Sequence, residues 1–271
     1  MADVGDLSVT GLFRYPIKSC GGVALAEASV GSRGIIYDRE FMVVDATTGL
    51  FLTQREIPRM ALIRPSVEDD RLCLDAPGMS HLSVNPIRHG SARSVIVWHD
   101  RCPAVDQDPE AAGWLSDFLK TDCRLVRMAE EHVRRVDRRY AVNVGDQVGF
   151  ADGYPFLLIS EESLADLNAQ LSSPLPMNRF RPNIVVSGGG APYLEDQWRQ
   201  IRIGAIDFHL VKACARCVIT TTDQATGERG KEPLTTLAGY RRSRRGVLFG
   251  QNMVHSGPGT IRCGDPVEVL A

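Results

Sequence analysis

The spacing of strand-like runs constrains this chain most. GLFRYPIK (11–18), RGIIYDREFMVVD (33–45), RLCLDA (71–76) and SVIVWHD (94–100) are short β-branched or aromatic runs punctuated by Gly, Pro, Asn and Asp. In FMVVDATTGLFLT two apolar runs flank a turn-like DATTG, which reads as a hairpin. Only three stretches read as helix. DPEAAGWLSDFLK has Asp108 as cap and Pro109 at the first helical position, with Trp114, Leu115, Phe118 and Leu119 on one face. SEESLADLNAQL has Ser160 as cap and Leu164, Leu167 and Leu171 at helical spacing. KEPLTTLAGYRR begins near Pro233 and turns Leu234 and Leu237 inward. Few helices among many short strands predict a mainly β architecture of barrel or sandwich type with helical decorations, in the α+β class.

The 271 residues suffice for one large domain or two small ones. Residues 127–139 (RMAEEHVRRVDRR) are charged and lack an apolar period, so they read as a long exposed loop. They place a boundary near residue 125, dividing the chain into 1–125 and 126–271. A net charge of −2 provides no global field for nucleic acid or a membrane surface, and neither is expected as a partner. No apolar run approaches a membrane span, and the first 20 residues lack a charged-then-apolar leader pattern, so the expected compartment is the cytoplasm. The seven cysteines fit a reducing compartment, since five stand singly: Cys20, Cys73, Cys102, Cys123 and Cys263.

The other two form a CxxC, Cys214 and Cys217, in VKACARCVITTTDQATGERG (211–230). A structural zinc site needs a second ligand pair, and none is present. A redox dithiol needs the CxxC at a helix start, whereas VITTTD makes Cys217 enter a strand. A third reading is a buried, inert pair. Against it stands Arg216, a cation beside Cys217 that favours thiolate, or, pointing away from it in a strand, grips an anion.

Three further stretches set cations at turns. YPIKSCGG (15–22) carries Lys18 and Ser19 before Cys20 and a Gly pair that lets backbone approach a ligand. YDREF (37–41) carries Arg39 in a strand-like run, and NRFRPNIVV (178–186) carries Arg181 before Pro182 and Asn183. Singly, each Arg reads as a solvated or salt-bridged face residue. Together with a candidate thiolate they point to a phosphorylated metal cofactor.

These residues resemble a family. YPIKSCGG, DREF, RPNIVV, CARCVITTTDQATGE, LFGQN and the terminal PGTIRCGDPVEVL are similar, in order, to MOSC-domain proteins with an N-terminal MOSC β-barrel, a group that includes amidoxime-reducing proteins. The resemblance implies an N-terminal MOSC β-barrel-like domain followed by a MOSC β-barrel domain. It implies the molybdenum cofactor (Mo-molybdopterin), with Cys217 as metal ligand and Cys214 a bystander. Phosphate and pterin contacts carry over to Lys18, Ser19, Arg39, Arg181, Asn183 and Arg216. At Gly153, Tyr154, Ala215 and Asn252 the chain departs from the amidoxime-reducing pattern, which has Thr, Ser, Ser and Tyr there.

The activity implied is reduction of small N-hydroxylated substrates at Cys217-bound molybdenum. The alternative is a cofactor carrier or sulfur-transfer module without reductase activity. Full molybdenum cofactor sulfurases add a pyridoxal-phosphate domain, the source of the family's association with pyridoxal phosphate binding, and 271 residues leave no room for one. No four-cysteine cluster precedes the terminal GDPVEVLA, so electrons are expected from a separate ferredoxin- or cytochrome-like protein with its reductase. His255, Asp265 and Asp223 are proton-donor candidates by proximity to the motif blocks alone. Two arginine groups, Arg134, Arg135, Arg138 and Arg139, and Arg241, Arg242, Arg244 and Arg245, are candidate docking charge.

Overall fold

The computed structural model describes residues 7–271; the opening MADVGD, part of the stretch inspected for a leader, lies outside them. Its largest unit is a nine-stranded sheet. Eight strands run in the order Val267–Val269, Gln200–Ile203, Ile206–Arg216, Gly246–Ser256, Phe156–Ser160, Ile184–Ser187, Ser8–Arg14 and Val23–Leu25; the ninth, Arg242–Ser243, pairs with Gly246–Ser256. Its one parallel pairing joins Phe156–Ser160 to Ile184–Ser187, a connection that needs a crossover and contains a helix. A four-stranded sheet orders Phe41–Asp45, Cys123–Met128, Asp100–Asp106 and Ala92–Val97, and two three-stranded sheets complete the β structure.

The strand pairing does not follow the linear division of the chain. Ser8–Arg14 pairs with Ile184–Ser187, and Glu27–Gly31 pairs with Gly259–Arg262. The first segment therefore completes the sheets of the second half. Residue 125 itself lies inside the strand Cys123–Met128.

The three predicted helices are present, although the second stops at Ala169, before Leu171. Helix α1 (Pro109–Leu119) has Asp108 accepting the Glu110 amide at 2.8 Å, and Trp114, Leu115, Phe118 and Leu119 are buried. Helix α2 (Glu161–Ala169) is capped by the Ser160 hydroxyl, and helix α3 (Leu234–Tyr240) buries Leu237 while Leu234 is half-buried. The predicted hairpin is present, with Val44 bridging Phe51 and the Gly49 amide donating to the Asp45 carbonyl.

Phe41–Asp45 is continuous rather than alternating because both its faces are covered. Phe41 and Val43 pack into the cluster with Leu72, Trp114 and Phe118, while Met42 and Val44 pack with Val95, Cys102 and Phe150. The large sheet has its own core of Leu158, Ile184, Phe156 and Phe208.

The segment 127–139 is only in part the exposed loop its charge predicts: Glu130, Glu131, Val133, Arg135 and 137–139 are exposed, but the segment also carries buried anchors. Arg127 is buried and paired with Glu40 at 2.8 Å. Arg134 is buried too, donating to the Asp100 carboxylate at 2.7 Å and to the Gly149 and Ala151 carbonyls. A single Arg with five donors can staple several backbone oxygens, which charge counting along a sequence does not register.

Candidate functional site

The eleven residues expected from the sequence to contact the cofactor or its metal all line one cavity of about 540 Å³: Lys18, Ser19, Arg39, Gly153, Tyr154, Arg181, Asn183, Ala215, Arg216, Cys217 and Asn252. Its size falls in the range of small-molecule and cofactor sites, about 300–1,000 Å³.

The first wall follows from Pro16 and the glycine pair. The strand Ser8–Arg14 stops before Pro16, and the chain turns so that the Lys18 amide donates to the Phe41 carbonyl at 2.9 Å. The glycines here serve packing rather than ligand approach. A Cβ on Gly21 would meet the Ile63 carbonyl at 2.8 Å, and one on Gly22 would meet the Tyr15 ring at 2.4 Å. The Tyr15 ring lies between two guanidinium groups, with Arg39 and Arg181 each 4.3 Å from its centroid. Arg39 is not in a strand, as its surroundings predicted, but in a turn at φ +48°. From there it reaches the Asp38 carboxylate at 2.6 Å and the Asn183 side-chain oxygen at 3.0 Å.

Ser19 (φ +67°) and Arg181 (φ +56°) share this left-handed backbone. Three non-glycine residues in that region around one cavity hold strain of order 1–3 kcal/mol each, a feature that clusters at ligand sites.

The CxxC forms the opposite wall. Cys217 does not enter a strand. It ends the long strand Ile206–Arg216 and caps a 3-10 turn, Val218–Thr221. The strand is irregular between Ala213 and Ala215, where its register with Gly246–Ser256 shifts. Arg216 points away from Cys217, donating to Cys214 Sγ at 3.0 Å and to the Phe180 carbonyl at 2.6 Å. Cys217 is half-buried and faces the cavity, whereas Cys20 behind the wall is buried and its thiol is pushed up to about 12 by desolvation.

The cavity carries an excess of positive charge. Lys18, Arg39, Arg55, Arg134, Arg135, Arg181, Lys212 and Arg216 line it, against Asp100, Asp137 and Asp152. Arg181 and Arg216 have no carboxylate partner among the described residues, and the buried Arg216 Nε has no hydrogen-bond acceptor. Desolvation pushes the Arg181 guanidinium down to about 10. Half-buried cations held this way, beside an available thiol, fit a phosphate-bearing group whose metal takes a sulfur ligand.

Comparison with known proteins agrees with this geometry. Residues 6–122 match the MOSC N-terminal beta barrel domain, and residues 145–268 match the MOSC domain. The chain belongs to the MOSC-domain family. Mitochondrial amidoxime-reducing component 1 of Mus musculus is 39% identical over 287 residues, spanning 97% of this chain and 82% of that protein. The Homo sapiens protein of the same name is 38% identical, spanning 97% of this chain and 83% of its own length. Molybdenum cofactor sulfurase of Oryza sativa subsp. japonica is 32% identical over 91% of this chain, which spans only 32% of that relative.

This MOSC cavity contains groups that sequence reading missed. Arg55 donates to Cys217 Sγ at 3.4 Å across 162 residues of sequence, and its guanidinium lies 4.5 Å from the Trp98 ring centroid. Asp152 accepts from the Lys18 ammonium and from the Trp98 indole N–H at 3.1 Å, and approaches Arg55 at 3.5 Å. At the cavity's edge the Lys212 ammonium lies 4.7 Å from the Tyr140 ring and 5.8 Å from the Tyr154 ring. No local period marks Arg55 or Asp152; a cation four residues before another basic residue in TQREIPR reads as surface.

The proton-donor candidates lie elsewhere. His255 directs Nε2 to the Gly31 carbonyl at 2.7 Å. Asp265 accepts the Arg262 amide, and Asp223 pairs with Arg179 while capping the Ala225 and Thr226 amides. None of the three lines the cavity. Of the first arginine group, Arg134 is buried and Arg139 is paired with Asp137, while Arg135, Arg138 and Arg139 are exposed and Arg135 lines the cavity.

Desolvation raises the Asp152 carboxyl, but Lys18, hydrogen bonded to it, and Arg55 outweigh that effect and hold it well below the ordinary carboxylate range. A folded-state pKa below the unfolded value of about 3.9 stabilises the fold above that pH and loses its contribution as pH falls through the folded value. The stability gap between wild type and Asp152→Asn should therefore be constant from neutral pH down to about 5 and shrink below about 4. Urea unfolding across this range checks it, and a gap independent of pH would show that the ion pairs contribute nothing.

Proposed function

We propose that this chain is a molybdenum-cofactor-dependent reductase of small N-hydroxylated compounds, supplied with electrons by a separate carrier protein. The observation that carries the reading is the cluster of cations without carboxylate partners among the described residues, Arg181 and Arg216, sharing one cavity with the half-buried Cys217. The amidoxime-reducing names of the mouse and human relatives support the choice of substrate class. The seven free cysteines suit the cytoplasm as its place of work.

In this reading Arg39, Arg181, Arg216 and Lys18 hold the phosphate and pterin, and Cys217 Sγ ligates the metal. When bound, the cofactor supplies the two-electron chemistry that cleaves the N–O bond. In the overall balance, an N-hydroxyl group takes up two electrons and two protons and yields an N–H group and one water. Arg55 donates to Cys217 Sγ and so fixes the direction of the thiolate lone pairs. Asp152, ionised at neutral pH, orients Lys18 and Arg55 rather than donating a proton. Lys212, Tyr140 and Tyr154 form a cation–aromatic edge suited to receiving a planar substrate.

A second reading, a cofactor carrier or sulfur-transfer module, is favoured by the similarity to the Oryza sativa sulfurase. Protein made in a host that synthesises molybdenum cofactor separates the two. The reductase reading expects about one molybdenum per chain and consumption of a small artificial reductant on adding an N-hydroxylated base. Molybdenum without turnover would leave the carrier, and no molybdenum would reject both.

A further inference from the structure

The second arginine group survives in the structure as a defined surface. Arg242–Ser243 folds back on Gly246–Ser256, with Arg242 opposite Val247 and Ser243 opposite Gly246. The Ser243 hydroxyl closes the turn, accepting the Arg245 amide at 3.0 Å and donating to the Gly246 carbonyl at 3.1 Å. Arg242, Arg244 and Arg245 are thereby presented to solvent, and none has an ion-pair partner among the described residues. Arg241 differs, being paired with Asp196 and stacked 4.2 Å from the Tyr193 ring.

The place of this hairpin gives the charge a use. Val247 is paired on its other side with Arg216, the residue before Cys217. Two strand spacings of about 4.8 Å put the Arg242 backbone roughly 10 Å from that of Arg216. A second route converges on the same corner. The exposed Tyr240, just before the hairpin, lies 6.1 Å from Tyr193, which lies 6.3 Å from Phe249, which lies 4.3 Å from Phe180 on the cavity wall. A row of packed rings thus runs from the surface to the cavity.

We infer that the Arg242–Arg245 hairpin is the docking surface for an acidic one-electron carrier protein. The use of the electrons rests on the reductase reading; the docking does not. Electron transfer weakens steeply with distance, so a carrier has to seat close to the cavity, and here exposed cations lie one strand away from the strand Ile206–Arg216 that leads into Cys217. On a chain of net charge −2, three unpaired arginines form a local field that orients an acidic partner during encounter. Two reduced carriers each lose one electron per turnover, and the two electrons with two protons convert the N-hydroxyl group to amine and water. A negatively charged lipid surface would meet the same three charges but would gain nothing from their place beside the cavity.

The test uses the full chain and the triple variant Arg242→Glu, Arg244→Glu, Arg245→Glu, with a plant-type [2Fe–2S] ferredoxin as the acidic carrier. Binding and the second-order rate of electron delivery are measured from about 0.01 M to about 1 M ionic strength, over which the Debye length falls from about 30 Å to about 3 Å. Wild type should weaken about tenfold or more over this range, and the variant should be weak and nearly salt-independent throughout. Turnover driven by a small uncharged reductant should be the same in both proteins. Equal ferredoxin binding by wild type and variant would overturn the inference. So would a variant that loses only its binding to vesicles containing phosphatidylserine. Should wild type fail to turn over with the small reductant while ferredoxin binding still depends on the three arginines, the docking surface stands and the reductase reading falls.

Discussion

Cys217→Ser is expected to purify folded, with little molybdenum and with N-hydroxyl reduction lowered more than about 100-fold, since even partners that only orient a metal ligand are worth about 10–100-fold. The physical reason is the atom. A thiolate is a soft donor suited to a metal already held by sulfur, and a serine hydroxyl at neutral pH is a hard, protonated one. The neighbouring cysteine provides the control. Cys214 Sγ accepts a hydrogen bond from Arg216, and a serine hydroxyl accepts the same bond, so Cys214→Ser should keep its metal and most of its rate. Molybdenum content and steady-state rate are read together. A Cys217→Ser protein with unchanged metal and rate, or a Cys214→Ser protein equally impaired, would remove Cys217 from the centre of the site.

The sequence carried the site further than the shape of the fold. Helix α1 was legible because a cap, a proline and an apolar face agree locally over a few residues. The eleven cavity residues were legible because the motif blocks keep their order along the chain. What could not be read were the long-range pairings. Nothing in SVTGLFR says that it pairs with Ile184–Ser187, since strand partners are chosen by burial across distant sequence. The same limit hid Arg55, whose neighbours in sequence are polar and whose contacts, Cys217 and Trp98, are remote.

Local conformation produced the other differences. YDREF looks like strand because Phe41, Met42 and Val43 are, yet Tyr37 and Arg39 adopt positive φ and the run turns before it pairs. VITTTD is β-branched, but the Thr220 and Thr221 hydroxyls donate to the Cys217 and Val218 carbonyls three residues back, which closes a 3-10 turn instead of a strand. That turn directs Cys217 into the cavity.

Arg181 and Arg39 flank the same Tyr15 ring, yet their removal should have different consequences. Arg181 is half-buried, its guanidinium is pushed down by desolvation, it has no carboxylate partner among the described residues, and its side chain donates only to the Cys20 carbonyl. Apart from its contact with the Tyr15 ring, its charge gains a partner only when an anion is present. In Arg181→Met the unbranched side chain keeps its packing against Tyr15. The loss of one hydrogen bond, about 1–3 kcal/mol where a carbonyl is left unsatisfied, and of the cation–aromatic contact with Tyr15 is set against relief of a partly desolvated charge. The cofactor-free variant should therefore melt near or above wild type, while its cofactor affinity falls by about 2–5 kcal/mol, roughly 30- to 4,000-fold. Arg39 is paired with the buried Asp38, so Arg39→Ala leaves that carboxylate without its cation and should cost stability as well, about 3–5 kcal/mol. Thermal melts of the cofactor-free proteins and cofactor retention through gel filtration separate the two patterns. If Arg181→Met loses stability and cofactor together, as Arg39→Ala is expected to, Arg181 is a structural staple and the anion site must be built from the remaining cations.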